Sequence, residues 1–178
     1  GHKQRGLTAA ALVEPRALAR RLSFDLTGLP PTPDEIAAFE HASSRDPADA
    51  YTELVERLLA SRHYGERWAQ HWLDLVRYAD TAGDASDFPI PEAHKYRNYV
   101  IDALNNDKPY HQFVREQLAG DLMPAESEAE TWERMIATGY IAISRRIGVS
   151  PQSQRHITLE DTLNNVGKTF LGLSVGCA

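Results

Sequence analysis

Cysteine is nearly absent from this sequence: Cys177, the second-last residue, is the only one in 178. No intrachain disulfide can form, so the fold must rest on packing and hydrogen bonding. Long apolar runs are missing as well. No stretch approaches the roughly 18 residues that a membrane-spanning helix requires. The start, Gly1-His2-Lys3-Gln4-Arg5-Gly6, lacks the apolar heart of a signal peptide. A basic surplus is also lacking, since 19 Lys and Arg face 25 Asp and Glu, for a net charge of −6. A general binder of phosphate backbones needs the opposite balance, so nucleic acid is not an expected partner. There are no alternating apolar–polar runs bounded by hairpin turns, which argues against a sheet. No Gly-x-Ser-x-Gly elbow and no Gly-rich phosphate loop after a strand is found.

What the chain does have is helix punctuation. Pro15 after Glu14 opens a first helix at the position where a missing N–H costs nothing. Leu18, Leu22 and Leu26 line one face of it, and Gly28 ends it. Thr32-Pro33-Asp34-Glu35 reads as a capping box, with Thr32 the N-cap and Glu35 reaching back. Asp46-Pro47 repeats the device ahead of Tyr51, Leu54, Val55, Leu58 and Leu59. A helix from about Tyr64 to Tyr78 carries the largest side chains, with Trp68, Trp72 and Leu75 as its stripe. A further helix is expected from Glu92 to Asn106, then one from Tyr110 to Leu118. An acidic loop is predicted from Met123 to Glu130, and another helix from Trp132 to Ile143. A basic loop is predicted from Ser144 to His156. Thr158 is then expected to cap a last helix, with Leu159, Leu163, Val166, Phe170 and Leu173 as its apolar stripe.

These signals predict an all-α fold, an irregular orthogonal helical bundle of about seven or eight helices without significant sheet. Residues 1–14 read as an N-terminal extension or cloning remnant, and 15–178 as a single helical domain.

Two groups of polar residues invite a chemical reading. Asp80, Asp84 and Asp87 lie in a polar loop around Gly83 and have the spacing of hard-cation ligands. The competing reading is a solvated, helix-ending turn. His71 and Asp74 sit three residues apart near Arg67, and are the candidate catalytic pair. Orienting a buried helix is the alternative role for such a set. The aromatics Trp68, Trp72, Tyr78, Tyr96, Tyr99 and Trp132 could wall a sugar or porphyrin pocket, though helical spacing first makes them core.

Several stretches together carry a resemblance. They are Arg20 to Pro33, Leu58 to Asp74, Arg77-Tyr78-Ala79-Asp80-Thr81, Arg115 to Leu122, and Thr169 to Ala178. The chain resembles the cytochrome-associated domain of unknown function found in large secreted planctomycete proteins, over nearly its whole length from Pro15. In that family the segment matching Val175-Gly176-Cys177-Ala178 runs on into a second cysteine and a histidine. The result is C-x-x-C-H, the attachment pattern of c-type haem. The resemblance makes Cys177 the first haem-motif cysteine. It implies haem c in the full-length protein and no cofactor in this chain as it stands. Met123, Met135, His94 and His156 are the candidates for a distal ligand. It further implies an extracytoplasmic location, with other domains of the same polypeptide and a redox partner as the partners. An enzyme or carbohydrate-handling domain with a polar His/Asp cleft, and a bound cation, is the alternative.

Overall fold

A computed structural model describes residues 13–82, 87–142 and 151–175, with backbone alone at 151–154. The N-terminal stretch through residue 12, Asp84, and the closing Gly176-Cys177-Ala178 lie outside the described residues. Helices dominate, and the described residues contain no strand, only an isolated antiparallel bridge between Thr81 and Pro89. The all-α helical bundle expected from the sequence is observed. Contacts gather into two compact units, Gly1–Tyr64 and Gly65–Ala178.

The first unit holds α1 (Pro15–Thr27), α2 (Pro33–Arg45) and α3 (Pro47–Leu59). Each opens on a proline, where the absent N–H leaves no bond unmade. Gly28 closes α1 in the left-handed region at φ 72°, a backbone state that glycine adopts without a Cβ penalty. The capping box of α2 is complete: Thr32 Oγ1 accepts from the Glu35 N–H at 3.2 Å, and Glu35 accepts from the Thr32 N–H at 2.8 Å. Asp46 caps α3 by accepting from Ala48 and Asp49. The apolar faces meet in a core of Ala19, Phe39, Ala50, Leu54 and Leu58, flanked by Leu18, Leu22 and Leu26. Burying each large member contributes about 1.5–3 kcal/mol. Tyr51 and Leu59, expected on this face, remain exposed.

The second unit begins within α4 (Arg62–Leu75) and continues through α5 (Ala93–Asn105), α6 (Tyr110–Ala119), α7 (Glu128–Ala137), α8 (Gly139–Ala142) and α9 (Pro151–Val166). A 3-10 turn spans Gly120–Leu122, and a π-helical turn, Gly167–Leu171, follows α9. Its core contains Ala69, Val76, Tyr96, Tyr99, Val100, Ala103, Phe113, Ala137 and Tyr140.

Four details correct the sequence reading. The buried side of α4 runs through Gly65, Ala69, Trp72 and Val76, while Trp68 and Leu75 are exposed. Small residues, which allow close approach, set that face, not the largest side chains. The acidic loop ends earlier than expected, because Ser127 caps α7 by accepting from the Glu130 N–H. Likewise α9 starts at Pro151, inside the predicted basic loop, so Thr158 lies within the helix and is not its cap. Finally, Val166 and Phe170 pack on the core but Leu159, Leu163 and Leu173 are exposed. Gly172 ends the π-turn in the left-handed region at φ 65°, so Leu173 lies beyond the helix and off its stripe.

Candidate functional site

The backbone departs from regular geometry at the end of α4. Arg77 takes φ 61°, a left-handed conformation uncommon for a residue with a Cβ. Its guanidinium donates to both carboxylate oxygens of Asp161 on α9, each at 3.0 Å. Asn165, one turn on, donates from Nδ2 to the Val76 carbonyl at 3.3 Å. Beyond Arg77 the connection doubles back. The Ile90 N–H donates to the Asp80 carbonyl at 2.8 Å and the Ala82 N–H to the Phe88 carbonyl at 3.0 Å. This arm brings Phe88, Ile90 and Pro91 opposite α5 and α7.

Between them lies a cavity of about 630 Å³. That is within the range of small-molecule sites, which are mostly apolar with a few placed polar groups. Tyr78, Tyr96, Phe88, Ile90, Met135 and Ile136 are among its walls, and Arg77, Glu92, Lys95 and Asp161 its charged lining. The Tyr78 and Tyr96 rings lie 6.2 Å apart. The Tyr78 hydroxyl donates to Asp80. Burial first, and that bond second, push its pKa up to about 12. Arg97 Nη1 lies 3.9 Å from the other Asp80 oxygen.

Behind the cavity wall sits a buried polar lattice. Gln117 accepts from Tyr96 Oη at 2.5 Å and Trp72 Nε1 at 3.2 Å, and donates to the Phe113 carbonyl at 3.1 Å. Glu116, only 2% exposed, accepts from Tyr99 (2.8 Å), Lys108 (2.5 Å) and Gln112 (2.8 Å). Burial pushes the Glu116 carboxyl up, but those hydrogen bonds outweigh it and hold the carboxyl below its ordinary value. Burial drives the Tyr96 and Tyr99 hydroxyls well above theirs. Tyr140, 1% exposed, has its hydroxyl beside Thr169 without a hydrogen bond of standard geometry.

The residues singled out in the sequence are scattered over this frame. His71 and Asp74 are exposed on α4 and neither lines the cavity; His71 packs edge-on against Trp68. Asp80 is engaged with Tyr78 and Arg97, and Asp87 takes φ 38°. Asp84 and Cys177 lie outside the described residues. Among the described residues no three His, Cys, Asp or Glu side chains gather as a metal site. Met135 lines the cavity, whereas His94 holds its Nδ1 2.7 Å from the Pro91 carbonyl and His156 is exposed on α9. No described helix is long and apolar enough to cross a membrane.

Glu116, Gln117 and the Arg77–Asp161 pair did not stand out in the sequence. The first two carried a signal in their helical phase: Phe113, Glu116, Gln117 and Gly120 fall on one side of α6 at three- and four-residue steps. The Arg77–Asp161 pair had none, being made across 84 residues.

The family model described as PSCyt2, protein of unknown function (DUF1549), matches residues 1–178, the whole chain. The chain belongs to this family. No curated protein matches this PSCyt2 member, and no solved structure does.

Proposed function

We propose that this PSCyt2 member is a non-catalytic, redox-accessory module of a larger exported multidomain protein, flanking a c-type haem whose attachment begins at Cys177. The resemblance of Val175-Gly176-Cys177-Ala178 to the opening of C-x-x-C-H supports this reading. The observation that carries it is the way the chain approaches that cysteine. Val166 and Phe170 are packed on the core and Asn165 is bonded to Val76, while Leu171, Leu173 and Val175 stand 65%, 55% and 52% exposed. A porphyrin is a broad apolar plate, and an exposed apolar segment leading to its covalent anchor gives it surface to bury.

The residues present fit the first half of such an attachment. Cys177 would form one thioether, and a histidine of the completed motif would ligate the iron. Haem supplies one-electron chemistry when bound. The chain's own contribution would be apolar surface, from Leu171, Leu173 and Val175, for such a group to bury. An enzyme built on His71 and Asp74 has less support, since both are exposed and neither borders the cavity.

The test is to produce the natural full-length protein with a c-type haem maturation system. A Soret band and haem that survives denaturation are expected, the covalent retention being lost when Cys177 and the motif's second cysteine are both replaced by serine. Absence of covalently retained haem from the folded full-length protein would sink the reading.

A further inference from the structure

We infer that the cavity beside Arg77 is a binding site for an uncharged, planar aromatic ring with oxygen at its edge, the chemical class of phenols and quinols. This goes beyond the haem-flanking role and does not rest on it.

The first consideration is charge. Among the described residues, each ionic group lining the cavity is engaged: Arg77 with Asp161 through two bonds of 3.0 Å, and Lys95 with Glu92 at 2.5 Å. Asp80, at the margin, takes the Tyr78 hydroxyl and lies 3.9 Å from Arg97. The positive and negative groups match in number, so this lining offers an ion no surplus of opposite charge. An uncharged ligand needs none.

The second consideration is shape and surface. Tyr78 and Tyr96 bring two rings tilted by 30° to the lining, and Phe88, Ile90, Met135 and Ile136 add apolar surface from the arm and α7. Aromatic rings gain from offset or edge packing on such walls, and a methionine sulfur favours a ring edge. A sugar is disfavoured here. Its ring of hydroxyls would meet apolar wall on most sides, and each one left without a partner costs the desolvation of a polar group. A ring with one or two oxygens has fewer to place. The Tyr78 oxygen, whose proton is given to Asp80, retains lone pairs to accept from a ligand hydroxyl.

Third, the site is prepared in advance. The arm carrying Phe88 and Ile90 is pinned by two backbone bonds, and the left-handed Arg77 is held by Asp161. Strain maintained by the surrounding structure is a recurrent mark of binding sites. Here two long-range attachments converge on its rim.

The test uses this chain without haem, so its failure leaves the redox reading standing. 2-Naphthol is titrated into it, followed by calorimetry and by amide chemical shifts. One-site saturable binding is expected, with shifts concentrated at Ala79, Thr81, Ile136 and Gly139. Ala93→Trp and Ala142→Trp, which add bulk at the cavity wall, should each weaken it at least tenfold while the melting temperature is kept. Two variants on different helices guard against one that fails to fold. Non-saturable uptake, shifts spread over the surface, or equal affinity in both folded variants would overturn the assignment. Saturable binding of glucose at these amides in place of naphthol would do the same.

Discussion

Lys108 reaches across from the end of α5 to place its ammonium 2.5 Å from Glu116, a carboxylate that is otherwise sealed from solvent. The same ammonium bonds Glu133 on α7 at 2.7 Å and lies over the Tyr99 ring at 4.8 Å. Arg134, 11% exposed, adds a second positive charge 3.9 Å from Glu116 without hydrogen-bonding it. Three helices are therefore joined through one buried charge.

Replacing that charge should be costly. Glu116→Leu leaves Lys108 and Arg134 facing each other in a largely buried setting. Removing one partner of a buried pair costs about 3–5 kcal/mol, a large share of the roughly 5–15 kcal/mol of a whole domain. A urea denaturation midpoint well below wild type, with unchanged slope, is the expected outcome. A loss under about 1 kcal/mol would mean the pair is not formed.

Acid should act through the same carboxyl. Its pKa in the folded chain is held below the ordinary 4.5, so the stabilisation is present above that value and is lost as pH falls through the folded-state pKa. Glu35, lowered first by the Thr32 backbone N–H and then by Arg57, works in the same direction in the first unit. Unfolding free energy measured between about pH 6 and about pH 3 should drop on the acid side. The drop should be shallower in Glu116→Gln, which has no proton to take up there.

Gly65 is required by what faces it. Its N–H donates to Asn105 Oδ1 at 2.8 Å, and an added Cβ would stand 2.5 Å from that oxygen and 2.6 Å from the Ile101 carbonyl. A backbone oxygen within α5 cannot yield without moving the helix. The propensity gain of Ala over Gly, about 1 kcal/mol, is outweighed by overpacking of about 1–3 kcal/mol or more. Gly65→Ala should lower the melting temperature, and a rise would show that α5 shifts freely.

Arg77 offers a comparison in which the sign is set by backbone geometry. Both Arg77→Ala and Arg77→Gly lose the Asp161 pair, but only the glycine relaxes at φ 61°. The left-handed state costs a residue with a Cβ about 1–2 kcal/mol, so the glycine variant should be the more stable by that amount in paired denaturation curves. The exposed ion pair itself contributes little, about 0–1 kcal/mol.

The parts of this fold that the sequence disclosed are those fixed within four residues along the chain. The Thr32–Glu35 box, Asp46 and Gly28 each cap with local partners, Pro15 opens α1, and each appears where it was expected. Even the Ser127–Glu130 cap had its own local pattern, hidden by the acidic composition around it. The orientation of α4 could not be read so directly. Trp68 and Trp72 have the same hydrophobicity, and it is distant partners, Phe113 and Phe170 packed on Trp72, that decide which is covered. The cavity was less legible still. Asp80 marked its margin, but its walls come from separate elements and its charges pair across the unit.

The attachments of α9 give the second unit an order of assembly. Arg77 meets Asp161 across 84 residues, and Asn165 meets Val76 across 89, so both contacts close very large loops. In the first unit α1, α2 and α3 meet over short connections, the arrangement that forms fastest. The last helix can dock only after α4 and its following turn have taken shape. It is correspondingly the piece whose amides should exchange earliest with solvent when the folded unit breathes. Whatever is tethered near Cys177 would then hang on the joint of the second unit expected to open first.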